Sequence, residues 1–342
     1  NPTGFRLTNM IIHLFSVWGI FLCGKRLAWN RTICWLVAAI FAVHPLAIEA
    51  VTYISGRGDA LFMCFSIWSI WWLMNRKNYL GGVIAVILYG CALISKENAI
   101  GLPLLILIMF YGPFKRGFSK NITTPILLMT PIMFGMIVIR LIGVFDSTTQ
   151  TLSWIASSNI WERIATVPYM CMTYIRLWLF PTHLHMEYHY VADSFHNIYT
   201  YLFLILVISL ITLYIKFDRD SKRLLLFSIL WVIISLGPVW NIVLPLASTV
   251  REHWFLLSTV GLLFLLGYRF YQVITGFVNP KSGGMAIFGC ILFTLFILFD
   301  FNRLAQLNEV TDLNNWDTAF SLAFSLYLDI INLLLELLEA MG

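Results

Sequence analysis

The chain has 342 residues, 60% of them hydrophobic and only 11% charged, with a mean hydropathy of +0.83. Soluble domains carry roughly 25% charged residues, so this composition excludes a water-soluble globular protein and points to one helical bundle in a bilayer. The formal charge of +5 is spread over many short loops, which excludes a nucleic-acid-binding face and argues for no nucleic-acid partner.

A transmembrane helix needs about 20 mostly apolar residues. In chain order, apolar runs at 8–24, 31–44, 60–75, 79–95, 99–113, 122–144, 197–216, 222–240, 254–274 and 284–301 predict an all-α multi-pass membrane protein. Its bundle has about ten transmembrane helices. A further run, 160–180, is interrupted by Arg163, Pro168 and Arg176. It predicts an amphipathic or re-entrant outer-side segment within a long loop, 145–196. Thirteen Trp, 14 Tyr and 27 Phe suit the aromatic belts of such a protein.

Lysine and arginine set the orientation. Lys25, Arg26 and Arg31 share one side with Arg76 and Lys77, with Lys115, Arg116 and Lys120, with Lys216 to Arg223, and with Arg269 and Lys281. This side is expected to be cytoplasmic, an alternation that holds only if 160–180 does not span. Residues 1–303 form the membrane domain. Residues 304–342 mix acids and Asn with Leu and Phe at helical spacing, and predict outer-side amphipathic helices, the start of a cut-off repeat array or a surface for partner subunits through 305–340. The chain starts at Asn1 rather than Met, without a signal peptide, so a preceding span is expected. The six cysteines, Cys23, Cys34, Cys64, Cys91, Cys171 and Cys290, sit in or beside apolar runs without a CxxC or Cys/His pattern. They predict free thiols rather than zinc ligands.

This topology gathers the unusual polar residues on the outer side. The segment VHPLAIEAVTYISGRGDALF, residues 43–62, places His44, Glu49, Arg57 and Asp59 between two apolar runs. SKEN brings Lys96 and Glu97, STVREHW brings Arg251, Glu252 and His253, and Arg140 lies near the end of another run. Ionisable groups at membrane depth usually face a cavity or a partner. Arg57, Lys96, Arg140 and Arg251 suit anionic oxygens. The acids suit orienting those cations or binding hydroxyls, and Gly56 and Gly58 would let backbone N–H groups approach a phosphate. The alternative is a set of plain interfacial ion pairs. In HLHMEYHY, the residues His183, His185, Glu187 and His189 alternate as metal ligands do along a strand. A strand is too long for all four to reach one ion, so a His- and Tyr-rich interfacial loop is the competing reading, and no metal is assigned.

The 43–62 segment resembles the signature of the transmembrane and tetratricopeptide-repeat (TMTC) O-mannosyltransferases and their bacterial relatives, within the GT-C superfamily: His-Pro, then Glu-Ala-Val, then Gly-Arg and Asp. NPTGFRLTNMIIHLF resembles the family's Gly-Phe-His-x-x-Asn-x-x-x-His helix, with Asn9 and His13 matching and Arg6 where His is usual. LISKENAI and REHWFLLSTVG resemble two later segments, the last departing at Leu256, Leu257 and Ser258, where the family has Tyr-Leu-Pro. The resemblance runs from Asn1 to about Trp316.

The resemblance implies a GT-C-like fold of eleven spans, with one of them before Asn1. It implies a transferase that takes a sugar from a polyprenyl phosphate and gives it to a protein or glycan hydroxyl on the outer side; no cofactor is firmly assigned, and a divalent metal is the disfavoured addition. Arg57, Lys96, Arg251 and Arg140 would hold the phosphate. His44, Glu49, Asp59, Glu97, Glu252 and His253 would shape the site. The catalytic Asp or Glu would stand in the first outer loop, before Asn1. The short loops and few repeats suggest a bacterial inner membrane with a periplasmic active face, or the endoplasmic reticulum in a eukaryote. A catalytically degenerate subunit of a membrane complex and a transporter of lipid-linked anions are the competing classes.

Overall fold

A computed structural model describes residues 2–75, 79–115, 118, 122–146, 154–181, 184–217, 219–242, 245–246 and 248–274. The candidate span 284–301, the segment 304–342, His183 and the Arg140 side chain lie outside the described residues. The described residues are helical, with one isolated bridge between Tyr188 and Val250. The helices are α1 (Pro2–Arg26), α2 (Arg31–Val43), α3 (Ile48–Thr52), α4 (Arg57–Met74), α5 (Tyr79–Ser95) and α6 (Leu102–Tyr111). They continue with α7 (Thr123–Asp146), α8 (Trp154–Ser157), α9 (Ile160–Leu179), α10 (Ile198–Lys216), α11 (Arg219–Leu236) and α12 (Leu256–Ile274).

Every predicted span within the described residues coincides with one of these helices. The protein is an all-α membrane protein. By length and composition, Gly4–Arg26, Ile198–Lys216 and Arg219–Val239 suffice to cross a bilayer, and Arg31–Val43 with Pro45–Thr52 would make a fourth span bent by 53°. Others, such as Tyr79–Ser95 and Glu97–Tyr111, are apolar but shorter. The bend follows from Pro45, because a residue before proline is pushed out of the α region. His44 accordingly sits at φ −61°, ψ 127° and ends α2. In α10 not one residue is buried by protein. A helix apolar on all sides, with most of its surface uncovered by the described residues, suits contact with lipid.

Two apolar clusters hold the bundle. The larger joins α1, α2, α4, α5, α6, α11 and α12 around Phe41, Tyr89 and Trp231. Close helix contacts rely on glycine: a Cβ at Gly261 would clash with the ring of Trp231, whose indole donates to Leu257 O at 2.8 Å. The smaller cluster joins Leu46, Tyr174, Leu177, Tyr188, Val239, Val250, Trp254 and Phe255. It ties the bend after α2 to α9 and to the loop before α12.

Helix α9 occupies the predicted amphipathic segment. From Thr166 to Tyr174 it meets residues 190–199 and Arg251. Thr166 Oγ1 accepts from Ala192 N at 3.0 Å, Tyr169 packs on Tyr190 and Tyr199, and Tyr174 Oη donates to Arg251 O at 3.4 Å.

Candidate functional site

The polar residues gathered by sequence do converge at one end of the bundle. Asp59 falls in the first turn of α4, where the helix dipole favours an acid. Lys96 follows α5 directly, and its ammonium pairs with Asp59 Oδ1; the two side chains are only 16% and 8% exposed. Glu49 stands on α3. Its Oε2 lies 2.9 Å from His253 Nδ1, a charge contact without aligned hydrogen-bond geometry. The other ring nitrogen, His253 Nε2, lies 3.9 Å from Asp59 Oδ2. Glu49, His253, Asp59 and Lys96 thus form one buried chain drawn from four separate segments. Two carboxylates share one imidazole and one ammonium.

Gly56 and Gly58 do something other than expected. A Cβ at Gly56 would meet Ala50 O and Glu49 O at 2.9 Å, and one at Gly58 would meet Ser95 O at 3.2 Å. Gly56 N already donates to Tyr53 O at 3.0 Å. Both glycines are filled in by the protein's own backbone. They let α3 fold back onto the start of α4, and α4 onto the end of α5, which is how Glu49, Asp59 and Lys96 come together.

Arg57 points to α1 instead. Its Nε donates to Asn9 Oδ1 at 3.5 Å, and its guanidinium lies 4.8 Å from the Phe5 ring centre. Asn9 Nδ2 donates to Tyr53 O at 3.1 Å, and Arg6 Nε to Thr52 O at 3.2 Å. His13 Nε2 lies 3.2 Å from Ala42 O. The α1 residues that carry the resemblance therefore fasten α1 to the 42–57 segment. Among the described residues, nothing else bonds the terminal nitrogens of Arg57. His44 is buried, and its Nδ1 accepts from Leu46 N at 3.3 Å, capping the turn that carries Pro45.

Arg251, Glu252 and His253 diverge. Arg251 pairs with Glu187, donates from Nε to Ser248 Oγ at 3.1 Å, and lies 5.9 Å from the Trp254 ring centre. Glu252 is buried and accepts from His185 N at 2.7 Å and Tyr188 Oη at 2.9 Å. Burial, reinforced by the charge of Glu252, pushes the Tyr188 phenol up to about 12 and keeps it a donor. Tyr188 and Asn9 were not among the sequence-derived site residues. Tyr188 could have been found from its place within the His alternation. Glu187 also lies 3.3 Å from His189 Nε2, so these two do share a face. The His185 ring instead meets Tyr188 edge-on. Among the described residues no three His, Cys, Asp or Glu are grouped to hold a metal ion. Glu97 is half-buried beside Lys96. Next to it Asn98 is buried, and neither of its side-chain polar atoms finds a partner among the described residues.

An acid–imidazole–acid–ammonium chain thus stands beside an arginine at one end of the bundle. A protein O-mannosyl-transferase of Caenorhabditis elegans, F38B6.6, is 24% identical over 290 residues, covering 81% of this chain and 40% of its own length. This chain is related to TMTC protein O-mannosyl-transferases. Human TMTC3 is 22% identical over 330 residues, covering 85% of this chain and 36% of that protein. Drosophila Tmtc1 is 33% identical over 102 residues, covering 29% and 12%. The chain thus spans at most about 40% of the length of these TMTC relatives. No family model matches it, and no solved structure matches it significantly.

Proposed function

We propose that the chain is the membrane part of a GT-C glycosyltransferase that moves a sugar, mannose in the names of its relatives, from a polyprenyl phosphate to a hydroxyl of a protein or glycan. The bond from sugar C1 to the phosphate oxygen breaks, the acceptor oxygen bonds to C1, and the acceptor proton passes to a carboxylate base. The leaving polyprenyl phosphate needs cations held where its charge develops. One observation carries the reading: a buried Glu49–His253–Asp59–Lys96 chain at the end where Arg57 offers its terminal nitrogens. Lys96 and Arg251 keep their acids as fixed partners, so a phosphate would join these pairs rather than meet bare cations. Glu49, Asp59 and Glu252 each already hold a cation or a donor, so none of them is assigned as the base.

The named relatives are animal proteins, which supports the endoplasmic reticulum over the bacterial inner membrane. Transfer of labelled mannose from polyprenyl-phosphate mannose to an acceptor peptide, in membranes holding the full chain, tests the reading. Arg57→Ala is expected to abolish transfer without lowering the melting temperature by more than a few degrees. Full transfer by that variant would overturn the role of Arg57. A second reading, a non-catalytic subunit, is favoured by the acid partners of Lys96 and Arg251. It would be supported by a fixed-stoichiometry complex that neither binds polyprenyl phosphate nor transfers sugar.

A further inference from the structure

At the opposite end of α1 lies a second arrangement that the proposed transfer does not use. From Arg6 to Lys25 the helix rises about 28 Å, close to the roughly 30 Å thickness of a bilayer's hydrocarbon core. There a cavity of about 420 Å³ is lined by Phe21, Lys25, Trp29, Arg31 and Trp35. Lys25 and Arg31 are both exposed, and neither has a carboxylate partner among the described residues. The Lys25 ammonium lies 5.9 Å from the Phe21 ring centre, and Phe21 packs on Trp35 at 4.5 Å.

The turn between α1 and α2 is built to hold this wall in place. Ala28 takes a positive φ of 61°, uncommon outside glycine. Ala28 N donates to Lys25 O and Trp29 N to Gly24 O, closing the end of α1. Trp29 is then wedged beside Gly24 and Gly267, where any Cβ would come within 3.0 Å of its ring. It is only 5% exposed, and its indole N–H has no acceptor among the described residues. Arg31 opens α2, whose N-terminus favours an anion. Lys25, Arg31 and the Trp29 ring thus line one cavity beside the start of α2, which Asn30 caps by accepting from Ile33 N at 2.8 Å.

The surface leading to the cavity is apolar. Leu7, Ile11, Leu14 and Trp18 are each about half exposed. Their spacing of four, three and four residues continues to Phe21 and Lys25, so all six lie along one stripe of α1. An acyl chain lies along such a stripe; a free anion gains nothing from it. The basic loops place this end on the cytoplasmic side, whose leaflet carries the anionic lipids.

We infer that the cavity between α1 and α2 binds the phosphate headgroup of an anionic glycerophospholipid, with Lys25 and Arg31 on the phosphate and an acyl chain along the α1 stripe. The site is remote from Glu49–His253–Asp59–Lys96, so its test does not depend on sugar transfer. The purified full chain is titrated with phosphatidylglycerol, phosphatidylcholine and inorganic phosphate, and binding is read by native mass spectrometry. Wild type should hold phosphatidylglycerol more tightly than phosphatidylcholine. Near a membrane surface each cation contributes about fivefold, so K25Q/R31Q should weaken phosphatidylglycerol binding about 30-fold. Both side chains are exposed, so the melting temperature should stay unchanged. Equal binding by wild type and variant would overturn the inference, as would equal affinity for both lipids. Inorganic phosphate binding as tightly as phosphatidylglycerol would overturn the lipid assignment. A photo-crosslinker at Trp18 should label lipid; labelling of another protein chain would show a helix on the stripe instead and overturn it.

Discussion

The Asp59–Lys96 pair offers the sharpest test of how the candidate site is held. Breaking a buried ion pair from one side leaves the other charge uncompensated and costs about 3–5 kcal/mol. Lys96 keeps 16% of its side chain exposed, which places this pair at the lower end, about 3 kcal/mol. For a chain of this size each kcal/mol lowers the melting temperature by about 2 °C. Asp59→Asn is therefore expected to lower it by ~6 °C. Lys96→Met should cost less, because His253 at 3.9 Å gives Asp59 a remaining partner. The double variant D59N/K96M removes both charges together and should be more stable than D59N alone. Thermal unfolding of all four forms in one detergent gives the coupling energy, expected at about 2 kcal/mol. Additivity within about 0.5 kcal/mol would refute the claim that these side chains form one unit.

Glycine substitutions test the close approaches. Gly56→Ala should destabilise by about 1–3 kcal/mol, because its Cβ meets two carbonyl oxygens at 2.9 Å. Gly90→Ala, with nothing within 4 Å in the middle of α5, should stabilise by about 0.5–1 kcal/mol in the same melting assay. Asn159 caps α9, accepting from Trp161 N and Glu162 N at 2.9 Å, while Glu162 returns a bond to Asn159 N. Asn159→Ala should cost about 1 kcal/mol and raise amide exchange in the first turn of α9.

Much of this architecture was legible because lipid imposes a simple rule: long apolar runs become helices, and charges mark their ends. The alternation of Lys and Arg placed residues 49, 57, 59, 96 and 253 on one side, and the Lys96–Asp59 and His253–Glu49 contacts show four of them together, while Arg57 turns to Asn9. Pairing was not legible. Sequence spacing says that acids and cations share a level, but which acid takes which cation depends on helix rotation and on the bend at Pro45. The glycines were misread for the same reason. A Gly next to Arg looks like a phosphate loop, whereas the space beside Gly56 is already taken by the backbone of Glu49 and Ala50.

The divergence of Arg251, Glu252 and His253 has a local cause. Arg251 is extended, at φ −132° and ψ 140°, and residues 252–255 form a 3₁₀ turn. In such a turn successive side chains point about 120° apart. Glu252 and His253 must therefore face different neighbours, the first toward 185–188 and the second toward Glu49 and Asp59. The tripeptide becomes the joint between the loop before α10 and the buried chain on α3 and α4. Glu252 holds the first half as an acceptor of two donors, and an amide oxygen accepts as well as a carboxylate oxygen does. Glu252→Gln should then keep both bonds. Glu252→Ala leaves the His185 amide only its longer bond to Tyr188 Oη at 3.2 Å, takes the carboxylate acceptor from the Tyr188 hydroxyl, and should cost about 1–3 kcal/mol. Hydrogen exchange at the His185 amide separates the two cases: equally slow in wild type and Glu252→Gln, faster in Glu252→Ala, where only the longer bond to Tyr188 Oη is left. If Glu252→Gln exchanged as fast as Glu252→Ala, negative charge rather than hydrogen bonding would be what anchors the loop.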